Sequence, residues 1–546
     1  MRLPSSRSAS VALSLLLIES TLAKEYHPCS LLGPDVPIPK KVSGTFAFKD
    51  AAVSIQKAIS DALSSGQTSY GTLNASATSF SLDIFSLHEE DGLFTYHYDA
   101  PGLANSTDGV KKIDSNSIYR LGSISKLLTV YTFLASVGDL SFNEPITKYI
   151  PELAAYAAQH APSDDAIDFM DWDSITIGAL ASQLGGIPSM SRRSSRVPAN
   201  ISDAACPNFY GIPCTRAALI GSINFEHPAV APFHGPVYSN AGFMLLQFAL
   251  EKMTNASLPS LFTDKVTTPL NLSNTYFANA PLNQGVVPLN DATALRHADV
   301  VRAMLSSTLL PAPLTRRWMK PHTFTAYAAT LVGAPWEIYK APLTERDVWM
   351  YTKGGDVGAY STNFALLPDY GIGFTVLATG GDPFQVKTIV SDIVAAIGVP
   401  AFQKAAKEEA ESVYAGTYHG IDSGTAANEN DVLVLTVDSN PGLLVSSWSI
   451  NGTDIVSAYR AVGDQVRLNP SGLVSKKGTK EGWRVVLTEE PAVDGAFVGE
   501  CVDWFDVDLA VLGGVGLDEF VISLSGDGTK AVGVEARGWR VGYERR

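Results

Sequence analysis

Cysteine and histidine are scarce, at four and nine of 546 residues. No CxxC or HExxH spacing occurs, which argues against a zinc centre and leaves no metal or cofactor expected. Positive charge is also in deficit. Forty Lys and Arg face 55 Asp and Glu, for a net charge of −15 and an isoelectric point near 5.1. That balance removes the electrostatic basis for binding nucleic acid or an anionic membrane. Beyond the N-terminus no run reads as a transmembrane segment, and no internal repeat is evident.

What is present is an ordinary globular composition, 46% hydrophobic, with mean hydropathy near zero. The length allows about two to four domains. Arg2 and Arg7, the apolar stretch from Val11 to Ile18, and Thr21-Leu22-Ala23 have the layout of a secretory signal peptide over residues 1–23. The expectation is a secreted, extracellular protein without membrane attachment after cleavage. Six sequons begin at Asn74, Asn105, Asn200, Asn255, Asn271 and Asn451, as in a glycosylated secretory protein. An oxidising compartment permits disulfides. Cys206 and Cys214 flank a short Pro-containing loop, whose closure would contribute about 2–3 kcal/mol. Cys29 and Cys501 are left as a candidate second pair.

Apolar spacing predicts a helix over 46–64 and a β-hairpin over 79–98. Ser123 opens an apolar helix that ends at Gly138-Asp139, and a second apolar helix spans Gly242 to Leu250. Residues 157–174, rich in Asp, and 189–215 read as surface loops. A strand from Asp347 leads to Lys353, a hairpin covers 360–379, and a helix covers about 383–397. A charged helical connector, 404–411, precedes short β-rich runs at 432–437, 443–448, 483–487, 520–524 and 531–534. These describe a separate antiparallel β domain, barrel- or sandwich-like. The expected boundaries are 24–404 for the first domain and 405–546 for the second. Gly513-Gly-Val-Gly516 lacks the strand–turn–helix context of a dinucleotide motif and reads as a turn.

Three short strings carry the chemistry: Ser123-Ile-Ser-Lys126, Tyr238-Ser-Asn240 and Lys353-Gly-Gly355. A serine hydroxyl needs a nearby base. A lysine three residues along a helix shares its face, and burial beside another cation can free that lysine of its proton near neutrality. Ser-x-x-Lys alone is weak, because Ser54-Ile-Gln-Lys57 also fits. Each residue also has a bland reading: Ser123 as a helix cap, Tyr238 as packing, Lys353 as a surface lysine. Order and context raise the signal. His234 reads as a structural or surface residue.

With their flanks, Tyr119-Arg-Leu-Gly-Ser-Ile-Ser-Lys126, Gly138 to Glu152 and Gly354 to Thr379, these strings resemble the serine β-lactamase and penicillin-binding superfamily. The likeness is to its class C side and to secreted β-lactamase-like proteins of filamentous fungi. It covers about residues 45–400. It implies an α+β fold, an antiparallel sheet flanked by helices with an all-helical subdomain. The part beyond 405, beginning Tyr414-Ala-Gly-Thr-Tyr418, is similar to a lipocalin-like appendage of some members.

The resemblance implies that Ser123 is the acyl-forming nucleophile. Lys126 is either the base or the group that holds Tyr238 as a phenolate base, its pKa depressed by two lysines. Asn240 would bond Lys126 and the substrate, and Lys353 would add positive potential. The N–H groups of Ser123 and Asp356 would form an oxyanion hole, and Gly354, Gly355 and Tyr360 would line the pocket. Two departures matter: Gly354 stands where the family has threonine, and Asp356 puts a negative charge beside the oxyanion site. They favour a hydrolase, ahead of an acyltransferase, acting on a small ester, lactone or amide. A D-amino-acid-specific peptidase or β-lactamase is the alternative, and a non-catalytic binding protein the rival class.

Overall fold

The structure, a computed structural model, describes residues 30–106, 109–159, 165–189, 216–224, 226–277, 280–285, 294–295, 299–341, 346–421, 428–459, 465–488 and 503–546. Residues 1–23, expected to be a signal peptide, Asn200 and all four cysteines lie outside these residues. The chain divides into two compact units, one of them Pro37–Glu409 and the other formed by residues 410–546 with the described residues ahead of Pro37.

The first unit begins with α1 (Phe46–Ser65), whose N-cap Thr45 accepts from the Phe48 N–H and whose C-cap is the left-handed Gly66. This matches the apolar spacing, and Ile55 and Ile59 are fully buried. The hairpin β1 (Thr78–Ser86) and β2 (Phe94–Tyr98) follows. Next come α2 (Ile124–Val137) and α3 (Asn240–Thr254). The strands β3 (Thr323–Phe324), β4 (Thr330–Val332), β5 (Glu337–Lys340), β6 (Trp349–Val357), β7 (Tyr360–Leu367) and β8 (Ile372–Gly380) then complete an eight-stranded antiparallel sheet. Its order is β2-β1-β8-β7-β6-β5-β4-β3.

Central strand β8 is buried along nearly its whole length, because both sheet faces are covered. Phe364 and Leu366 on β7 share a core with Leu127, Tyr131 and Phe243 of α2 and α3. Asn363 points the other way, as the two-residue period requires. Its Nδ2 donates to Ser391 Oγ at 3.0 Å, on α4 (Pro383–Tyr414). Aromatic contacts thread the core: Tyr131 stacks on Trp318 at 5.5 Å, and Trp318 meets Trp336 at a tilt at 5.0 Å.

Helix α4 joins the expected helix over 383–397 and the helical connector over 404–411 into one element. It runs unbroken through Pro400 and the charged stretch. Two carboxylates of that stretch are anchored: Glu409 accepts the Lys40 and Lys41 N–H groups, and Glu408 accepts those of Phe46 and Ala47. Glu408 thus satisfies first-turn amides of α1, where negative charge is favoured. An 18-residue window of α4 is apolar enough, by length and composition, to cross a membrane, but 72% of that window is buried inside the protein. It is a core helix covering the sheet.

The second unit is a closed eight-stranded antiparallel barrel, which settles the choice between barrel and sandwich. Its strands are β9 (Gly416–Gly420), β10 (Val432–Thr436), β11 (Leu443–Ile450), β12 (Gln465–Val474), β13 (Lys480–Thr488), β14 (Glu519–Leu524), β15 (Ala531–Ala536) and β16 (Val541–Arg545). The order is β10-β9-β16-β15-β14-β13-β12-β11, and β10 pairs with β11 to close the ring. Trp448, Trp483, Phe520 and Tyr543 fill its interior, with Trp448 Nε1 donating to Tyr543 Oη at 2.9 Å. Strands β9, β12 and β16 were not apparent as β runs. The first and last are five residues each, and β12 carries Pro470 beside a register shift. Gly513 and Gly514 adopt positive φ between two short strands, as the turn reading expects.

Candidate active site

Ser123 stands at the N-cap of α2, yet its side chain makes no capping bond. The hydroxyl is left for other partners. Gly122 in front of it takes φ +53°, and a Cβ there would lie 2.7 Å from the Asp356 N and 2.9 Å from the Gly355 carbonyl carbon. A Cβ on Gly355 would in turn overlap the Leu121 carbonyl oxygen and lie 2.9 Å from the Ser123 N. Two glycines therefore let β6 pass backbone to backbone against the serine turn. The result brings the backbone around Ser123 and that around Asp356 into direct contact. Thr362 on β7 ties the two segments, its Oγ1 donating to Leu121 O at 3.0 Å and approaching Gly355 O at 3.1 Å. Sequence reading missed Thr362; its register opposite Gly355 exists only in the sheet.

One turn into α2, Lys126 is 8% exposed. Its Nζ donates to Ser123 Oγ at 3.1 Å and to Asn240 Oδ1 at 2.6 Å. Burial, aided by the Lys353 charge and opposed by Glu337, pulls its pKa down to about 7. Such an amine beside a hydroxyl can accept a proton at neutral pH.

Tyr238 and Asn240 are delivered by the start of α3. Ser239 caps that helix by accepting the Gly242 N–H at 3.0 Å. The loop at 183–188 holds the segment: Gln183 Oε1 accepts the Ser239 N–H at 2.8 Å, and Ser239 Oγ donates to Pro188 O at 3.0 Å. Tyr238 is 41% exposed as a whole, but its hydroxyl end is largely dehydrated: it shares a hydrogen bond with Ser123, and desolvation, with the Glu337 and Asp356 carboxylates adding to the rise, pushes its pKa up to about 12. This direction is opposite to the depressed phenol expected from the two lysines. Lys126 and Lys353 place their Nζ atoms 4.8 and 5.3 Å from the ring centroid, but dehydration and the two carboxylates prevail.

Lys353 is 2% exposed, so it is no surface lysine. Its charge is already partnered, because Nζ donates to Glu337 Oε1 at 2.6 Å and to Gly354 O at 2.8 Å. Glu337 is a site residue that sequence reading did not single out. It lies sixteen residues upstream, on a strand too short to stand out, and only the β5–β6 pairing brings it in. Asp356 does not carry a bare charge either. Its carboxylate accepts from Ser361 Oγ and lies 3.8 Å from Lys387 Nζ on α4.

Gly354 leaves open space, since a Cβ would meet only Glu337 Oε2 at 3.6 Å. Tyr360 differs from its expected place on a pocket wall. It is 4% exposed, with Arg120 Cζ 5.7 Å from its ring centroid, and belongs to the core. His234 is exposed on the loop before Tyr238. The other Ser-x-x-Lys sits on α1, where Lys57 pairs with Asp61 at 2.5 Å in solvent.

Residues 93–396 match the beta-lactamase family model, and residues 406–546 match the C-terminal domain described as beta-lactamase-like. A beta-lactamase-like protein of Arthroderma benhamiae is 27% identical, covering 94% of this chain and 96% of its own. A probable hydrolase, M10, of Phoma sp. is 25% identical over 80% of this chain and 78% of its own. Among solved structures, a D-stereospecific amidohydrolase from Streptomyces sp. aligns with TM-score 0.46 and 18% identity, over 64% of this chain and 98% of its own. With the family match spanning more than half of its length, this chain belongs to the beta-lactamase family.

Proposed function

We propose that the protein is a secreted serine hydrolase that works through an acyl-enzyme on Ser123, with a small ester, lactone or amide as substrate. The observation that carries this reading is the 3.1 Å approach of Lys126 Nζ to Ser123 Oγ, by an amine whose pKa falls to about 7. Neutral Lys126 takes the Oγ proton as Oγ bonds to the substrate carbonyl carbon. The carbonyl electrons move to oxygen, and the Ser123 and Asp356 N–H groups stabilise that charge, where losing one donor costs about 3–4 kcal/mol. Tyr238, protonated at neutral pH, gives its proton to the departing alkoxide or amine as the C–O or C–N bond breaks. Lys126 then returns a proton to Tyr238. Water repeats the sequence in deacylation. Of the two candidate bases, the raised phenol favours Lys126.

Secretion and glycosylation complete the proposal. The five sequon asparagines within the described residues, Asn74, Asn105, Asn255, Asn271 and Asn451, are all exposed, which supports their accessibility to a glycosylating enzyme.

Intact-mass analysis after treatment with a fluorophosphonate tests the chemistry. One adduct, absent in Ser123→Ala, is expected, with ester hydrolysis lost in parallel. No adduct and no hydrolysis of p-nitrophenyl esters, a chromogenic cephalosporin or D-Ala peptides would leave a non-catalytic binding protein.

A further inference from the structure

Glu337 lies on β5 opposite Thr352, in the register that sets it beside Lys353 and Gly354. Its carboxylate is divided between two donors. Oε1 accepts from Lys353 Nζ at 2.6 Å, and Oε2 accepts the Gly354 N–H at 3.0 Å. The pair is asymmetric in exposure: the Lys353 side chain is 2% exposed and that of Glu337 is 32%. Solvent reaches the carboxylate rather than the ammonium. Gly354 adds no side chain to cover it.

The field of Glu337 extends over the reacting groups, raising the proton affinity of both Lys126 and Tyr238. The buried cation that could receive a substrate anion is therefore occupied from within the fold. An anionic substituent brought to the same place would meet a fixed like charge and a lysine already hydrogen-bonded, an arrangement that rejects a partner by repulsion.

We infer that Glu337 is a specificity-determining residue that restricts the site to substrates uncharged around the scissile carbonyl. The inference rests on the acyl-enzyme reading and narrows it to neutral esters, lactones or amides. Glu337 acts by closing off Lys353, and takes no part in bond making.

Two esters that differ in one group test it: the p-nitrophenyl ester of adipamic acid and the mono-p-nitrophenyl ester of adipic acid. The first ends in a neutral amide, the second in a carboxylate of the same size. At pH 8 the wild-type protein should favour the amide-tailed ester in kcat/KM by about tenfold or more. Glu337→Gln should reduce that preference by about tenfold, mainly through a lower KM for the carboxylate-tailed ester. Glu337→Asp, which keeps the charge, should retain it.

Equal handling of the two esters by the wild-type protein would overturn the inference, as would a Glu337→Gln variant that changes both in the same proportion. If Glu337→Gln does not fold, the wild-type ratio decides alone. Fluorophosphonate labelling of Ser123 separates the levels. Labelling with no charge preference sinks only the Glu337 inference, whereas absence of labelling sinks the acyl-enzyme reading beneath it.

Discussion

Gly122 and Gly355 face one another across the serine turn, so close that a Cβ on the first would lie 2.9 Å from the carbonyl carbon of the second. Backbone contact of this kind fixes the positions of the two amides assigned to the oxyanion. The added methyl of Gly355→Ala overlaps the Leu121 carbonyl oxygen, and both partners are backbone, which cannot swing aside. We expect Gly355→Ala to lower stability by about 2–4 kcal/mol and to abolish fluorophosphonate labelling. Gly354→Ala, one residue away, meets only the far end of Glu337 at 3.6 Å and should cost under about 1 kcal/mol. Urea unfolding of the two variants makes the comparison; equal losses would refute the close approach.

The lysine pair predicts a pH dependence with a definite sign. Lys126 is charged below about pH 7 and neutral above it. A reaction that needs the neutral amine therefore rises with pH through about 7, and kcat/KM for a neutral ester should show an acidic limb there. Folding carries the same sign. The unfolded lysine keeps its proton up to its ordinary value of 10.5, so it binds more protons than the folded one between about 7 and 10.5. Its contribution to stability must rise with pH in that window and be most unfavourable below it. The difference in unfolding free energy between wild type and Lys126→Met, followed from pH 6 to 10, measures this. A difference independent of pH would contradict the shift.

Tyr238 offers a second titration. With its pKa near 12, the phenol keeps its proton throughout the working range and serves as a proton donor. The ultraviolet difference spectrum between wild type and Tyr238→Phe should show no tyrosinate band below about pH 10. Tyr238→Phe should lower kcat by about 10²–10⁴ and leave the acidic limb near pH 7 in place, because that limb belongs to Lys126. A tyrosinate signal at pH 7–8 would restore the phenolate as base.

The sequence by itself determined the local parts. The α1 helix, the 78–98 hairpin, the helix that Ser123 opens and the strands around Lys353 follow from apolar period and from glycine placement, which act over a few residues. Ser123 and Lys126 meet for the same reason, being one helical turn apart. Tertiary structure decided what depends on distant partners. Proton affinity was the clearest case: the number of nearby lysines suggested a depressed Tyr238, and burial with two carboxylates raised it instead. Glu337 became a site residue only through strand register, and Asp356 gained Lys387 only through the packing of α4. Tyr360 moved from pocket wall to core because β7 lies within the sheet. Electrostatics and burial depend on distances in space, and those are set by the pairing of the sheet and the packing of helices on it rather than by the local pattern that chooses helix or strand.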